Sequence, residues 1–313
     1  MSVPAPTDIG ALANRINFNT RDAHNKIDAF MSVRFAVALR HGKLYRQGIL
    51  AFYYVFQAIE QEIDALLSID TATGTGTGAT DVSDQKLLAS KIVKQFWMPE
   101  FRRTEQLYKD LLLLYSPEYP TSTELDAMLV DHQLPPQLQG FVDMVHATVR
   151  QNPVTVLAYC HVMYLALFAG GKVMRSTLYR NTGWFPKFEH LSSKELARKG
   201  TNFFTFSDAG VDVENQMKWQ YKKNYELATR EALAENDKLE IIDVAKRIFE
   251  RNMDIIQEIG QLNKEALTNN KLDLLQYVFE ELKFYNKDRS HQQLVYAVLV
   301  LLALLVLYRI VYR

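Results

Sequence analysis

YLALFAGGKVMRSTLY, residues 164–179, decides how the rest of the chain is read. It closes an apolar run that is too long for a strand, and it predicts the longest apolar helix of the protein, Thr155 to Arg180, broken at Gly170-Gly171. Glycine inside a helix costs about 1 kcal/mol against alanine. A helix that keeps two of them side by side needs a kink or a close approach to its backbone. Three needs fit: a flat macrocycle lying against the backbone, a tight helix contact, or a membrane span. His161 in mid-run, the glycines, and Lys172 and Arg175 nearby weigh against a span.

Helical periodicity recurs on both sides of this stretch, and strand signals are weak. Thr20 to Leu39 places Ala23, Ile27, Phe30, Met31 and Phe35 on one face, with Asn19 or Thr20 to cap its start. Arg46 to Leu67 repeats the pattern through Ile49, Tyr53, Phe56 and Ile59. TATGTGTGATDVSD, residues 71–84, is a Gly/Thr loop. Gln85 to Tyr115 predicts one or two helices interrupted near Pro99, and Gln137 to Arg150 another after Pro135-Pro136. A loop from Asn181 to Ser207 carries Phe203, Phe204 and Phe206, and helices over Val211–Leu233 and Asp237–Leu267 follow. The expected architecture is all-α: an N-terminal arm over 1–15, one helical domain over 16–268, a linker over 269–293, and a C-terminal transmembrane helix over 294–312.

Composition narrows the function classes. Of 313 residues, 48% are apolar and 12% aromatic, enough for a large core. Thirty-six basic residues balance 36 acidic ones, so no nucleic-acid footprint is expected. Cys160 has no second cysteine to pair with, which fits a reducing compartment. The N-terminal MSVPAPTDIG lacks the basic and apolar regions of a secretory signal. LVYAVLVLLALLVLY, residues 294–308, is uncharged; as a helix it covers roughly 22 Å, and Arg309 can snorkel to lengthen it. It predicts a tail anchor that leaves the domain on the cytosolic face, and its shortness suits the thinner endoplasmic reticulum membrane.

The first chemical candidate lies in residues 20–28, TRDAHNKID, where Thr20, His24 and Asp28 share one helix face. A neutral imidazole binds iron through one ring nitrogen while a carboxylate orients the other. By itself this pattern is more often that of a surface histidine. Together with its neighbours it says more: TRDAHNKIDAF (20–30), YLALFAGGKVMRSTLY, GTNFFTF (200–206) and KWQYKKNYELA (218–228) resemble, in order and spacing, the motifs of haem oxygenases, in particular tail-anchored fungal ones. The resemblance covers most of residues 10–265.

It implies haem b as substrate and cofactor, cleaved to biliverdin, CO and Fe2+ with O2 and electrons from NADPH through NADPH-cytochrome P450 reductase. It makes His24 the proximal iron ligand, oriented by Asp28, and Gly170-Gly171 the bend of the helix covering the other haem face. Thr20 and Arg21 fall along the haem edge, Lys218, Tyr221 and Lys222 at the propionates, Phe249 in the wall and Asn252 in the distal network. Tyr164 and His161 are further candidates for holding distal water. One departure stands out. Leu167 occupies the position of the family's distal aspartate, Met163 that of an arginine, and Ala166 that of a glycine. The aspartate organises the water that supplies protons for ring opening, and leucine neither donates nor accepts a hydrogen bond. The alternative implied by that departure is a haem-binding carrier, sensor or peroxidase-like protein with weak ring opening.

Overall fold

Ile49, Phe56, Ile59, Ile63 and Leu66 recur at helical spacing along α3 (Gly42–Leu67) and are all buried. The computed structural model describes residues 8, 10–28, 42–70, 83–180, 185, 186, 188 and 190–264. The Gly/Thr loop over 71–82, the linker 269–293, the anchor 294–312 and residues 29–39 of the first expected helix lie outside the described residues. Among the described residues the chain is helical throughout, with no sheet.

Around α3 pack α4 (Asp84–Phe96), α5 (Thr104–Leu114), α7 (Pro136–Gln151) and α12 (Glu235–Leu262). The chain is helical earlier than expected. Leu12 and Ile16, one turn apart, are fully buried in α1 (Leu12–Asn19), which lies against α12 and α11 (Val211–Thr229) and crosses the expected boundary between arm and domain. Thr20 closes α1 rather than capping the next helix, its hydroxyl donating to the Ile16 carbonyl at 2.8 Å. Residues 21–28 then form α2. Two short helices absent from the periodicity reading, α6 (Ser122–Asp131) and α10 (Ser193–Lys199), each open on a capping box, Thr121 with Glu124 and Ser192 with Glu195.

The long apolar run is irregular in a different place from that expected. After α8 (Val156–Tyr159) comes a π turn, Cys160–Tyr164, and α9 (Leu165–Arg180) then runs without interruption through Gly170 and Gly171. A π turn shifts carbonyls off the α ladder, and buried carbonyls need donors. Tyr221 donates to the Cys160 carbonyl at 2.7 Å and Tyr225 to that of Leu157 at 3.0 Å. Among the described residues this run alone is long and apolar enough to cross a bilayer, yet most of it is buried. It is the core helix of the domain, which sets aside the membrane-span reading.

A buried polar cluster pins residues 201–206 against the bundle. Arg103, 1% exposed, donates to the carbonyls of Phe101 (3.0 Å), Glu100 (2.7 Å) and Thr205 (2.7 Å). Glu60 accepts from the Arg103 backbone and from the Tyr164 hydroxyl. Asp110 accepts from the backbone amides of Asn202 (2.9 Å) and Phe203 (2.8 Å). Glu214 accepts from the Phe206 amide (3.0 Å) and forms a bidentate pair with Arg175 at 2.8 and 2.9 Å. Burial pushes the Asp110 carboxyl up to about 7, against the pull of these donors and of Arg103. Asp110→Asn turns an amide NH2 toward backbone N–H groups, so it is expected to destabilise the fold by about 2–4 kcal/mol. Urea unfolding measures the loss, and faster hydrogen exchange at Asn202 and Phe203 locates it. An unchanged midpoint with unchanged exchange would show the clamp to be idle.

Candidate functional site

Helices α2, α3, α9, α11 and α12, with the π turn, surround a cleft of ≈ 470 Å³, within the roughly 300–1,000 Å³ of small-molecule sites. Its lining is mainly apolar, with Ile49, Phe52 and Phe56 from α3 and Phe203 and Phe204 from the pinned segment.

His24 sits on α2 one turn before Asp28, and its Nδ1 lies 3.2 Å from the Asp28 carboxylate. Nε2 is left free of bonds among the described residues. The His24 side chain is 56% exposed and both residues line the cleft, so a ligand can reach the imidazole. Phe249 of α12 meets the imidazole edge-on with ring centres 6.0 Å apart. Thr20 also lines the cleft, its hydroxyl proton already committed to Ile16. Arg21 is exposed and does not line it.

From the other helices come Met163, Ala166, Leu167, Gly170 and Gly171. The glycines answer to different neighbours. A Cβ at Gly170 would meet nothing within 4 Å, because that position opens on the cleft; at Gly171 it would stand 3.4 Å from the Phe204 carbonyl. Gly171 thus packs against the Phe204 backbone while Gly170 faces open cleft, and the helix breaks at neither. Asn252 is buried and lines the cleft, its Nδ2 donating to the Ile248 carbonyl at 2.7 Å and lying 3.4 Å from Met163 Sδ.

Lys218 and Lys222 line the cleft from α11, and neither pairs with a carboxylate among the described residues. Partial burial, with repulsion from Lys222 and Lys172, pulls the Lys218 ammonium below its usual range. The expectation that Tyr221 and Tyr164 contact the ligand does not fit their places. Both are fully buried outside the cleft lining, Tyr221 bonded to the Cys160 carbonyl and Tyr164 to Glu60. Residues that the sequence reading passed over are Arg103, Asp110, Glu60 and Glu214, which hold the 203–204 wall. Asp110 carries a signal, a lone acid on the apolar side of TEQLYKDLLLLY, whereas Arg103 reads like any surface base.

The heme oxygenase family profile matches residues 83–258. The chain is 52% identical over 314 residues to the heme-binding protein HMX1 of Saccharomyces cerevisiae, covering 99% of this chain and 95% of that protein. The chain belongs to the haem oxygenase family. A heme oxygenase of Rhodella violacea is 24% identical over 252 residues, 80% of this chain and 87% of that one. The fold matches that of heme oxygenase-2 from Synechocystis sp., solved in complex with heme and NO, at a TM-score of 0.62 and 20% identity, covering 85% of this chain and 92% of that one. It also matches the heme oxygenase of Leptospira interrogans, with a TM-score of 0.56, 21% identity, and 79% and 99% coverage.

Gly170 gives the cleft a direct test. A methyl there removes the helix penalty of glycine, so Gly170→Ala is expected to stabilise the protein by about 0.5–1 kcal/mol while projecting into the cleft and weakening hemin binding. Calorimetry and Soret titration read the two effects. A lowered melting temperature would contradict the open space at this position.

Proposed function

We propose that the chain is a haem oxygenase that binds haem b through His24 and opens it to biliverdin, CO and Fe2+, using O2 and electrons from NADPH delivered by NADPH-cytochrome P450 reductase. The observation that carries this reading is the donor set of the cleft: an imidazole beside Asp28 whose Nε2 has no partner among the described residues, two lysines that pair with no carboxylate among them, and an apolar lining. These residues fit an amphiphilic iron porphyrin with two carboxylates. Haem supplies the redox iron at which O2 is reduced and the macrocycle that is opened.

The chain's own residues divide the work. His24 holds the iron through Nε2, and the carboxylate of Asp28 fixes the tautomer and aim of the ring. Lys218 and Lys222 neutralise the propionates. Phe249, Phe203 and Phe204 exclude bulk water, and Gly170 lets the macrocycle lie close to α9. Proton supply differs from the family pattern, because Leu167 and Met163 carry no acidic proton. Asn252 and the backbone of α9 hold the water that delivers protons. We further propose that residues 294–312 anchor the protein in the endoplasmic reticulum membrane with its domain in the cytosol, a reading supported by the uncharged run Leu294–Tyr308. That arrangement brings it to the membrane face that carries the reductase.

Full-length protein in detergent is expected to show a Soret band with hemin, and His24→Ala to lose or displace it; an unaltered band removes His24 as ligand. With reductase, NADPH and air, the band should bleach as biliverdin appears. A Soret band that persists without biliverdin makes the chain a haem carrier instead. Leu167→Asp introduces an ionisable group beside the cleft and is expected to raise the ring-opening rate by about tenfold or more, read in single-turnover kinetics. Unchanged turnover would show that protons arrive by a route independent of this position.

A further inference from the structure

His161 is a polar residue of the cleft to which the reaction above gives no role. It belongs to the π turn, is 3% exposed, and packs with its ring 5.5 Å from that of Tyr225 on α11. Its Nε2 lies 3.0 Å from Asn17 Oδ1 on α1, and its Nδ1 is buried without a partner among the described residues. These contacts fix the tautomer. A proton on Nε2 uses the one available acceptor and buries only a bare lone pair on Nδ1. The other tautomer would bury an N–H with nothing to accept it, the rarer and more costly state. Burial and the charge of Lys222 pull the imidazole down to about 3, so it is neutral at physiological pH.

A neutral Nε2–H donor determines the orientation of the Asn17 amide. Oδ1 turns to His161, and Nδ2 turns away from it. Asn17 is exposed and lines the same cleft as His161, Lys218 and Lys222. The bond to His161 is the side chain's only hydrogen bond among the described residues. Ammonium groups act as point charges that attract an anion without fixing its orientation; an oriented amide adds direction.

We propose that His161 is a positioning residue that presents the Asn17 amide as an uncharged third donor beside Lys218 and Lys222, so that this end of the cleft reads a ligand carboxylate by geometry as well as charge. The inference rests on the haem reading, whose propionates are such carboxylates. It assigns the pair His161 and Asn17 to the in-plane seating of the porphyrin.

The test compares hemin with hemin dimethyl ester, which lacks free carboxylates, by titration of the full-length chain in detergent. His161→Phe and Asn17→Ala should each weaken hemin by about tenfold and leave the affinity for the ester unchanged. The double variant should be no worse than either single one. His161→Gln, whose side-chain N–H can replace Nε2–H, should bind hemin like the wild type. Equal losses for acid and ester, or no loss for either variant, overturn the assignment, as does failure of glutamine to rescue. Asn17→Ala, at an exposed position, carries the test if His161→Phe proves unstable. A wild type that binds neither porphyrin fails at the level of the haem reading and takes this inference with it, whereas one that binds hemin and its ester equally well sinks the carboxylate end alone.

Discussion

A guanidinium inside an apolar bundle is tolerable only when nearly every N–H finds an acceptor, because stripping water from an unpaired charge costs several kcal/mol. Arg103 meets that condition with backbone carbonyls from two segments, and its guanidinium also lies 4.1 Å over the Phe206 ring. Burial draws its pKa down to about 10, which still leaves it charged at neutral pH. The cation therefore fixes where the 201–206 segment can run. That segment in turn presents Phe203 and Phe204 to the cleft and sets the Phe204 backbone against Gly171. Glu60 extends the same cluster to Tyr164 in the π turn. The apolar walls of the site thus depend on a polar cluster behind them, and disturbing one of its acceptors moves a surface that the acceptor never touches.

The π turn makes the second contribution. Successive residues of an α-helix point about 100° apart, so three in a row do not share one narrow face. His161, Val162 and Met163 nevertheless all line the cleft. The wider turn makes this possible, and the tyrosines of α11 meet the carbonyls it displaces. These tyrosines are consequently unavailable to a ligand, while Lys218 and Lys222 on the same helix reach the cleft. One helix divides its labour between supporting the core helix and charging the site.

The parts of this arrangement that follow from local geometry were legible in the sequence. Apolar spacing located α3, α7 and α12, and the i, i+4 rule placed Asp28 against His24 before any coordinates. Leu12 and Ile16 were equally readable as one buried helical face, and the Ser/Thr-x-x-Glu signatures at Thr121 and Ser192 announced α6 and α10. What could not be read depends on which way a side chain faces. Tyr221 sits between Lys218 and Lys222 in the chain, and on the helix it lies only about 60° round from the first and 100° from the second, yet that small turn carries it out of the cleft and into the core. The π turn has no composition that marks it, and Arg103 next to Arg102 looks like half of a solvated basic pair.

Seat and chemistry are carried by different helices, and this bears on the loss of the family's aspartate at Leu167. On the proposed reading, iron coordination rests on α2, propionate neutralisation on α11, and wall packing on α12 and the 203–204 segment. None of these touches the identity of residue 167. Leucine there leaves the cleft-facing side of α9 apolar at this position. A leucine side chain neither carries nor holds a proton, whereas the Asn252 amide, tethered to Ile248, is a polar group of the same cleft. On the proposed reading, residue 167 therefore bears on proton supply and not on the seat, so that binding and turnover can be altered separately at this position.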